Sequence, residues 1–142
     1  MQESLEASLI RIRTADSRVV GAGFLVGEHH ILTCAHVISQ ALGLPDSPLE
    51  PPQGLVSLDF PLVPPRTLLT ASGVQWCPPL SDGQGDIAGL ELQGDPPAGA
   101  EVVRFAPAED VWKHEFNVLG FPTGYDDGVR ATGRLLRRQA TN

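Results

Sequence analysis

Two side chains fifty positions apart are the first candidates for chemistry in this chain: His36 in "LTCAHV" and Asp86 in "GDIAGLEL". An imidazole can take the proton of a hydroxyl nucleophile near neutral pH, and a carboxylate can hold that imidazole in the tautomer the transfer requires. Each residue also has a plainer use. A histidine at a helix start can be hydrogen-bonded and inert, and an aspartate after Gly85 can cap a turn. The pairing points to hydrolysis by a base-activated nucleophile; neither residue does so alone.

Other residues of reactive type have weaker patterns. His29, His30, Cys34 and His36 are all zinc-ligand types, but their spacing fits no zinc signature, and adjacent His29 and His30 should point to opposite sides of a strand. No metal is expected. Gly21, Gly23 and Gly27 in "GAGFLVG" are spaced differently from a dinucleotide fingerprint, and no helix follows the first pair. No cofactor is expected. Cys34 and Cys77 read as small buried thiols rather than a disulfide. Trp76 and Trp112 read as core or interface aromatics. Asp126 and Asp127 read as turn residues with at most a weak cation site, and Arg137 and Arg138 as a solvated end.

The surrounding elements follow from pattern. Residues 9–13 alternate as a half-buried strand, 17–28 form a second, and 30–33 a short third. Residues 34–42 carry apolar positions at helical spacing, so His36 opens a helical turn directly after a strand. The proline-rich stretch 44–54 is a surface loop. Further strands are predicted at 55–60, 67–77 (bent at Gly73), 86–92 and 100–106. Residues 107–115 are a connector, and strands 116–121 and 128–136 flank the turn "PTGYDD". Asp86 thus starts a strand on a glycine hinge.

With 142 residues, 42% hydrophobic and 19% charged, the chain has the size and composition of one folded domain. Its 15 glycines and 13 prolines exceed the usual combined share of about 12%. Short elements and many turns follow, which favours an all-β sandwich or barrel. The net charge of −7 argues against a nucleic-acid partner, whose recognition needs clustered positive charge. The N-terminus has neither the basic nor the apolar region of a signal peptide, and no apolar run approaches spanning length. A cytoplasmic protein with no membrane partner is expected.

Three motifs taken in order carry a resemblance. "GAGFLVGEHHILTCAHVI" resembles the region around the catalytic histidine of trypsin-like (chymotrypsin-fold) serine peptidases, "DIAGLEL" is similar to the strand bearing that family's aspartate, and "FNVLGFPTGYDDGVRATGRL" resembles the opening of its second barrel. The resemblance spans roughly residues 8–137. It implies an all-β fold: a six-stranded antiparallel β-barrel over 1–106, then over 107–142 a connector and the first two strands of a second, incomplete barrel. It also implies that His36 is the general base and Asp86 its orienting partner, and that Gly21 and Gly23 let a curved strand pack closely.

The family's serine lies in a G-x-S-G-G motif, and none of this chain's serines, from Ser4 to Ser81, stands in one. The resemblance therefore implies the N-terminal part of a cytoplasmic, bacterial serine endopeptidase acting on protein or peptide substrates. Alone it should be inactive, with the serine half supplied by further domains of the same chain or by a complementary chain. Val37 stands where extracellular members carry a cysteine after the histidine, which agrees with a reduced compartment. The alternative is a non-catalytic, protease-like binding or regulatory module.

Overall fold

A computed structural model of the chain describes residues 2–107 and 112–136. A short helix α1 (Gln2–Ser8) leads into β1 (Leu9–Arg13), β2 (Val19–Leu25) and β3 (His30–Thr33). Helix α2 (Ala35–Ala41) is followed by β4 (Leu55–Asp59), β5 (Leu69–Cys77) and β6 (Ile87–Leu92), and then by β7 (Glu115–Gly120) and β8 (Val129–Arg134). The first six strands close into an antiparallel barrel in the order β1-β2-β3-β6-β5-β4, and β7 and β8 form a separate two-stranded sheet. Closure leaves the barrel without free edges.

The barrel interior is filled by alternate residues of its strands, among them Ile10, Ile12, Ile31, Leu58 and Leu90, all nearly inaccessible to solvent. Helix α2 covers one end of the barrel, burying Ala35, Val37 and Ile38. Gly21 makes that approach feasible, because a Cβ there would stand 2.6 Å from a Val37 methyl. The long strand β5 bends where expected: its pairing with β6 shifts register between Gly73 and Gln75, a bulge that increases local curvature.

Strand β1 differs from its expected half-buried character, since Leu9 and Arg11 are buried as well as Ile10 and Ile12. The outward face is covered by the second sheet. Leu9 shares an apolar groove with Val118 and Leu119, and Arg11 reaches the turn that joins β7 to β8. Arg11 stands opposite Asp59 in the β1–β4 ladder. It donates from Nε and Nη2 to the two Asp59 carboxylate oxygens at 2.9 and 2.7 Å, and from Nη1 to the Asp126 carbonyl at 2.7 Å. The guanidinium carbon lies 6.0 Å from the Phe121 ring centroid. Arg13 adds a contact to Asp59 at 3.3 Å.

Two expectations need correction. Residues 100–106 are not a strand; only isolated backbone bonds tie them to the body, from Glu101 N–H to the Ala7 carbonyl and from Val103 N–H to the Leu25 carbonyl. The apolar residues there suit a strand, but six strands already close the barrel and leave no edge to extend. Helix α1 was not anticipated, because seven residues are too few for a legible helical period. The connector's residues 108–111 and the terminal Arg137 and Arg138 lie outside the described residues.

Arg11 and Asp59 are each only 4% exposed, so removing Arg11 leaves a buried Asp59 carboxylate with only its longer contact to Arg13. Arg11→Ala should cost about 3–5 kcal/mol in urea unfolding, and the double replacement Arg11→Met with Asp59→Leu should recover most of it. Equal losses in the single and double variants would contradict this account of the pair.

Candidate active site

Strand pairing brings the two candidate residues together. Thr33, the last residue of β3, stands opposite Ala88 of β6, so the chain leaving β3 and the chain entering β6 meet at one end of the barrel. Thr33 Oγ1 donates to the Ala22 carbonyl at 2.7 Å, tying the exit from β3 to β2. Cys34 is the N-cap of α2 in extended conformation, and His36 lies in its first turn.

On the other side, the entry to β6 bends sharply. Gly85 and Asp86 both adopt left-handed backbone, with φ of 81° and 63°, a region costly for most side chains but tolerated by glycine and aspartate. A Cβ on Gly85 would stand 2.2 Å from the Pro78 carbonyl oxygen, so close approach as well as φ demands glycine there. This turn aims the Asp86 carboxylate at the head of α2.

Asp86 then makes a two-point contact. Its Oδ1 accepts from the His36 backbone N–H at 2.8 Å, and its Oδ2 lies 2.6 Å from the His36 ring Nδ1. Cys34 provides no side-chain cap to α2, so the carboxylate from a distant strand fills that role and satisfies N–H groups that a helix leaves unpaired. Partial burial on its own would raise the Asp86 carboxyl. The His36 N–H, the His36 ring and the Ala35 N–H together outweigh it and hold the carboxyl below its ordinary range.

A carboxylate acceptor at Nδ1 places the ring proton there and leaves Nε2 with a lone pair. The arrangement can therefore accept a proton at Nε2 and stabilise the resulting imidazolium. The His36 side chain is 49% exposed and that of Asp86 31%, so the ring is open to a reactant. Beside it lies an open cleft of about 420 Å³ lined by His36, Ser39, Leu44, Asp46 and Pro79 among others. The proline-rich loop at 44–54 forms one wall of this cleft, held by a hydrogen bond from Trp76 Nε1 to the Pro48 carbonyl at 2.8 Å.

The remaining candidates fall elsewhere. His29 and His30 lie at the opposite end of β3 from His36, and His29 Nε2 pairs with Asp95 at 3.0 Å. The four zinc-ligand types read from the sequence are thus divided, although Cys34 stays beside His36 and Asp86. Both cysteines are exposed free thiols, contrary to the expectation of burial. They emerge at the same end of the barrel, where Cys34 follows β3 and Cys77 ends β5, with β6 between them. Partial desolvation by the surrounding chain, and then the Asp86 charge, push the Cys34 thiol up from its usual value. The Asp126 carbonyl faces the Arg11 guanidinium, a poor neighbour for a bound cation. The pinned Gly85 and the capping role of Asp86 were not recognised from sequence; the "GD" dipeptide before an apolar strand was their only signal.

The depressed Asp86 carboxyl sets a sign for acid unfolding. Its stabilising contribution is present above its ordinary pKa of 3.8 and is lost as pH falls through the lower folded value. As pH falls below about 4, the melting temperature of the wild type should therefore fall more steeply than that of Asp86→Asn. Parallel profiles would contradict the assignment.

The profile of the trypsin-like peptidase domain family matches residues 21–141. No curated protein matches the chain. Among solved structures, Rv3671c from M. tuberculosis H37Rv, an inactive form of a serine-to-alanine mutant, superimposes with a TM-score of 0.57 at 23% identity, over 90% of this chain and 51% of that one. Neuropsin, a serine protease expressed in the limbic system of mouse brain, gives a TM-score of 0.49 at 17% identity, over 84% of this chain and 51% of that one. The chain thus spans about half the length of these two solved structures. Its closed six-stranded barrel, its two-stranded second sheet and the match over residues 21–141 make it a member of the trypsin-like peptidase domain family.

Proposed function

We propose that the chain supplies the general base, His36, and the orienting carboxylate, Asp86, of a serine endopeptidase that hydrolyses peptide bonds. The observation that carries this reading is the 2.6 Å contact between His36 Nδ1 and Asp86 Oδ2 in a domain of the trypsin-like peptidase family. In the reaction, His36 Nε2 takes the proton of a serine hydroxyl as that oxygen attacks the substrate carbonyl. Asp86 stabilises the imidazolium, which then returns the proton to the leaving amine. An acyl-enzyme forms and water releases it by the same proton relay.

Residues 1–106 act in this reading as the first barrel, and residues 107–142 begin the second. The serine and the oxyanion donors come from outside these 142 residues, either later in the same polypeptide or on a complementary chain. A reducing, cytoplasmic setting fits the two free thiols. Among the described residues no helix is long and apolar enough to cross a membrane.

A second reading, a protease-shaped module that binds a partner without chemistry, is favoured by the lack of a G-x-S-G-G motif among these residues. Labelling by a serine-directed fluorophosphonate separates the two. The isolated chain should remain unlabelled, and the protein containing the serine half should label. In that protein, His36→Ala should lower kcat by about 10⁶-fold and Asp86→Asn by about 10⁴-fold. Labelling of the isolated chain, or wild-type turnover by His36→Ala, would overturn the proposal, and a full-length gene product without any reactive serine would support the binding module.

A further inference from the structure

Among the described residues, three metal-ligand types converge at one place only, on Cys34, His36 and Asp86, with one ligand atom from each within 4.8 Å of the others. Cys34 and His36 are placed by the end of β3 and the first turn of α2, and Asp86 by the left-handed turn at Gly85 and Asp86. All three are reached from solvent, since Cys34 is exposed and the His36 and Asp86 side chains are 49% and 31% accessible.

We propose that this trio is a binding site for a borderline divalent cation of the zinc class, and that the ion and the His36–Asp86 hydrogen bond are mutually exclusive. The donors are one thiolate sulfur, one imidazole nitrogen and one carboxylate oxygen, a set suited to zinc; calcium and magnesium prefer oxygen alone. Tetrahedral zinc with ordinary bond lengths requires its ligand atoms roughly 3.4–3.6 Å apart. The three ligand atoms lie within 4.8 Å of one another, and to reach that range the 2.6 Å His36–Asp86 contact has to open by about 1 Å. Asp86 Oδ1 keeps its bond to the His36 backbone N–H, so the carboxylate stays anchored while Oδ2 turns to the ion. The fourth position faces solvent and takes water, as in open zinc sites.

Binding releases one proton, from the Cys34 thiol; the His36 ring stays neutral, its proton passing through solvent to the nitrogen that does not meet the ion, and the thiolate and carboxylate then balance the charge of the ion. With the ring nitrogen on the ion and Oδ2 no longer its acceptor, His36 loses the partner that fixes its tautomer. If His36 is the proton acceptor proposed above, the ion is a reversible inhibitor. The binding itself does not depend on that reading.

The test uses the reduced, metal-free chain. One equivalent of Co²⁺ should produce a near-ultraviolet thiolate-to-cobalt charge-transfer band, which one equivalent of Zn²⁺ removes and Ca²⁺ or Mg²⁺ does not. Cys34→Ser should lose the band and Cys77→Ser should keep it, and Asp86→Asn should weaken Zn²⁺ binding at least about tenfold. In the wild type, where folding of a variant plays no part, Zn²⁺ should protect Cys34 from iodoacetamide and leave Cys77 reactive. A band that survives Cys34→Ser or disappears with Cys77→Ser, or equal alkylation of Cys34 with and without Zn²⁺, would overturn the site.

Discussion

The structure depends most on one carboxylate serving two kinds of donor. Asp86 meets the backbone at the head of α2 and the ring of a residue in that helix's first turn. A side chain confined to one of these tasks could drift without consequence for the other. Because both oxygens are engaged, the helix start, the ring plane and the entry to β6 are fixed relative to one another. Helix α2 has no local side-chain cap, so its start depends on a residue fifty positions away, and the ring is oriented by the same bond set that begins the helix.

That constraint requires a rigid frame. The closed barrel provides it, because β3 and β6 are hydrogen-bonded neighbours whose register sets how far the two site residues lie beyond their strands. On the opposite face of β1, Arg11 performs a comparable service for the second sheet, joining a cross-strand partner in the barrel to the carbonyl of a turn between β7 and β8. Both arrangements use a charged group to satisfy backbone atoms at a junction. Such groups are costly to bury alone, so each one ties its neighbours to a single geometry.

Much of this was legible beforehand. Strands β1 and β3 fall where alternation placed them, the bend at Gly73 is a register shift, and the histidine and aspartate motifs led to the pair now seen in contact. What escaped was non-local. Residues 9–13 read as a half-buried strand, because neither the pairing of Arg11 with Asp59 nor the covering second sheet can be inferred from neighbours in the chain. The cysteines read as buried because small thiols usually are, whereas Cys34 lies just past β3 and Cys77 at the last position of β5, where both are exposed. Residues 100–106 have strand composition and no edge to pair with, so composition there misled.

The most direct measurement of the central claim is the protonation pattern of the His36 ring in solution, read by nitrogen-detected NMR on the chain at neutral pH. The account predicts a proton on Nδ1 with a strongly downfield resonance, a free lone pair on Nε2, and loss of that resonance in Asp86→Asn. A neutral ring carrying its proton on Nε2, or a spectrum of His36 unchanged by Asp86→Asn, would contradict it.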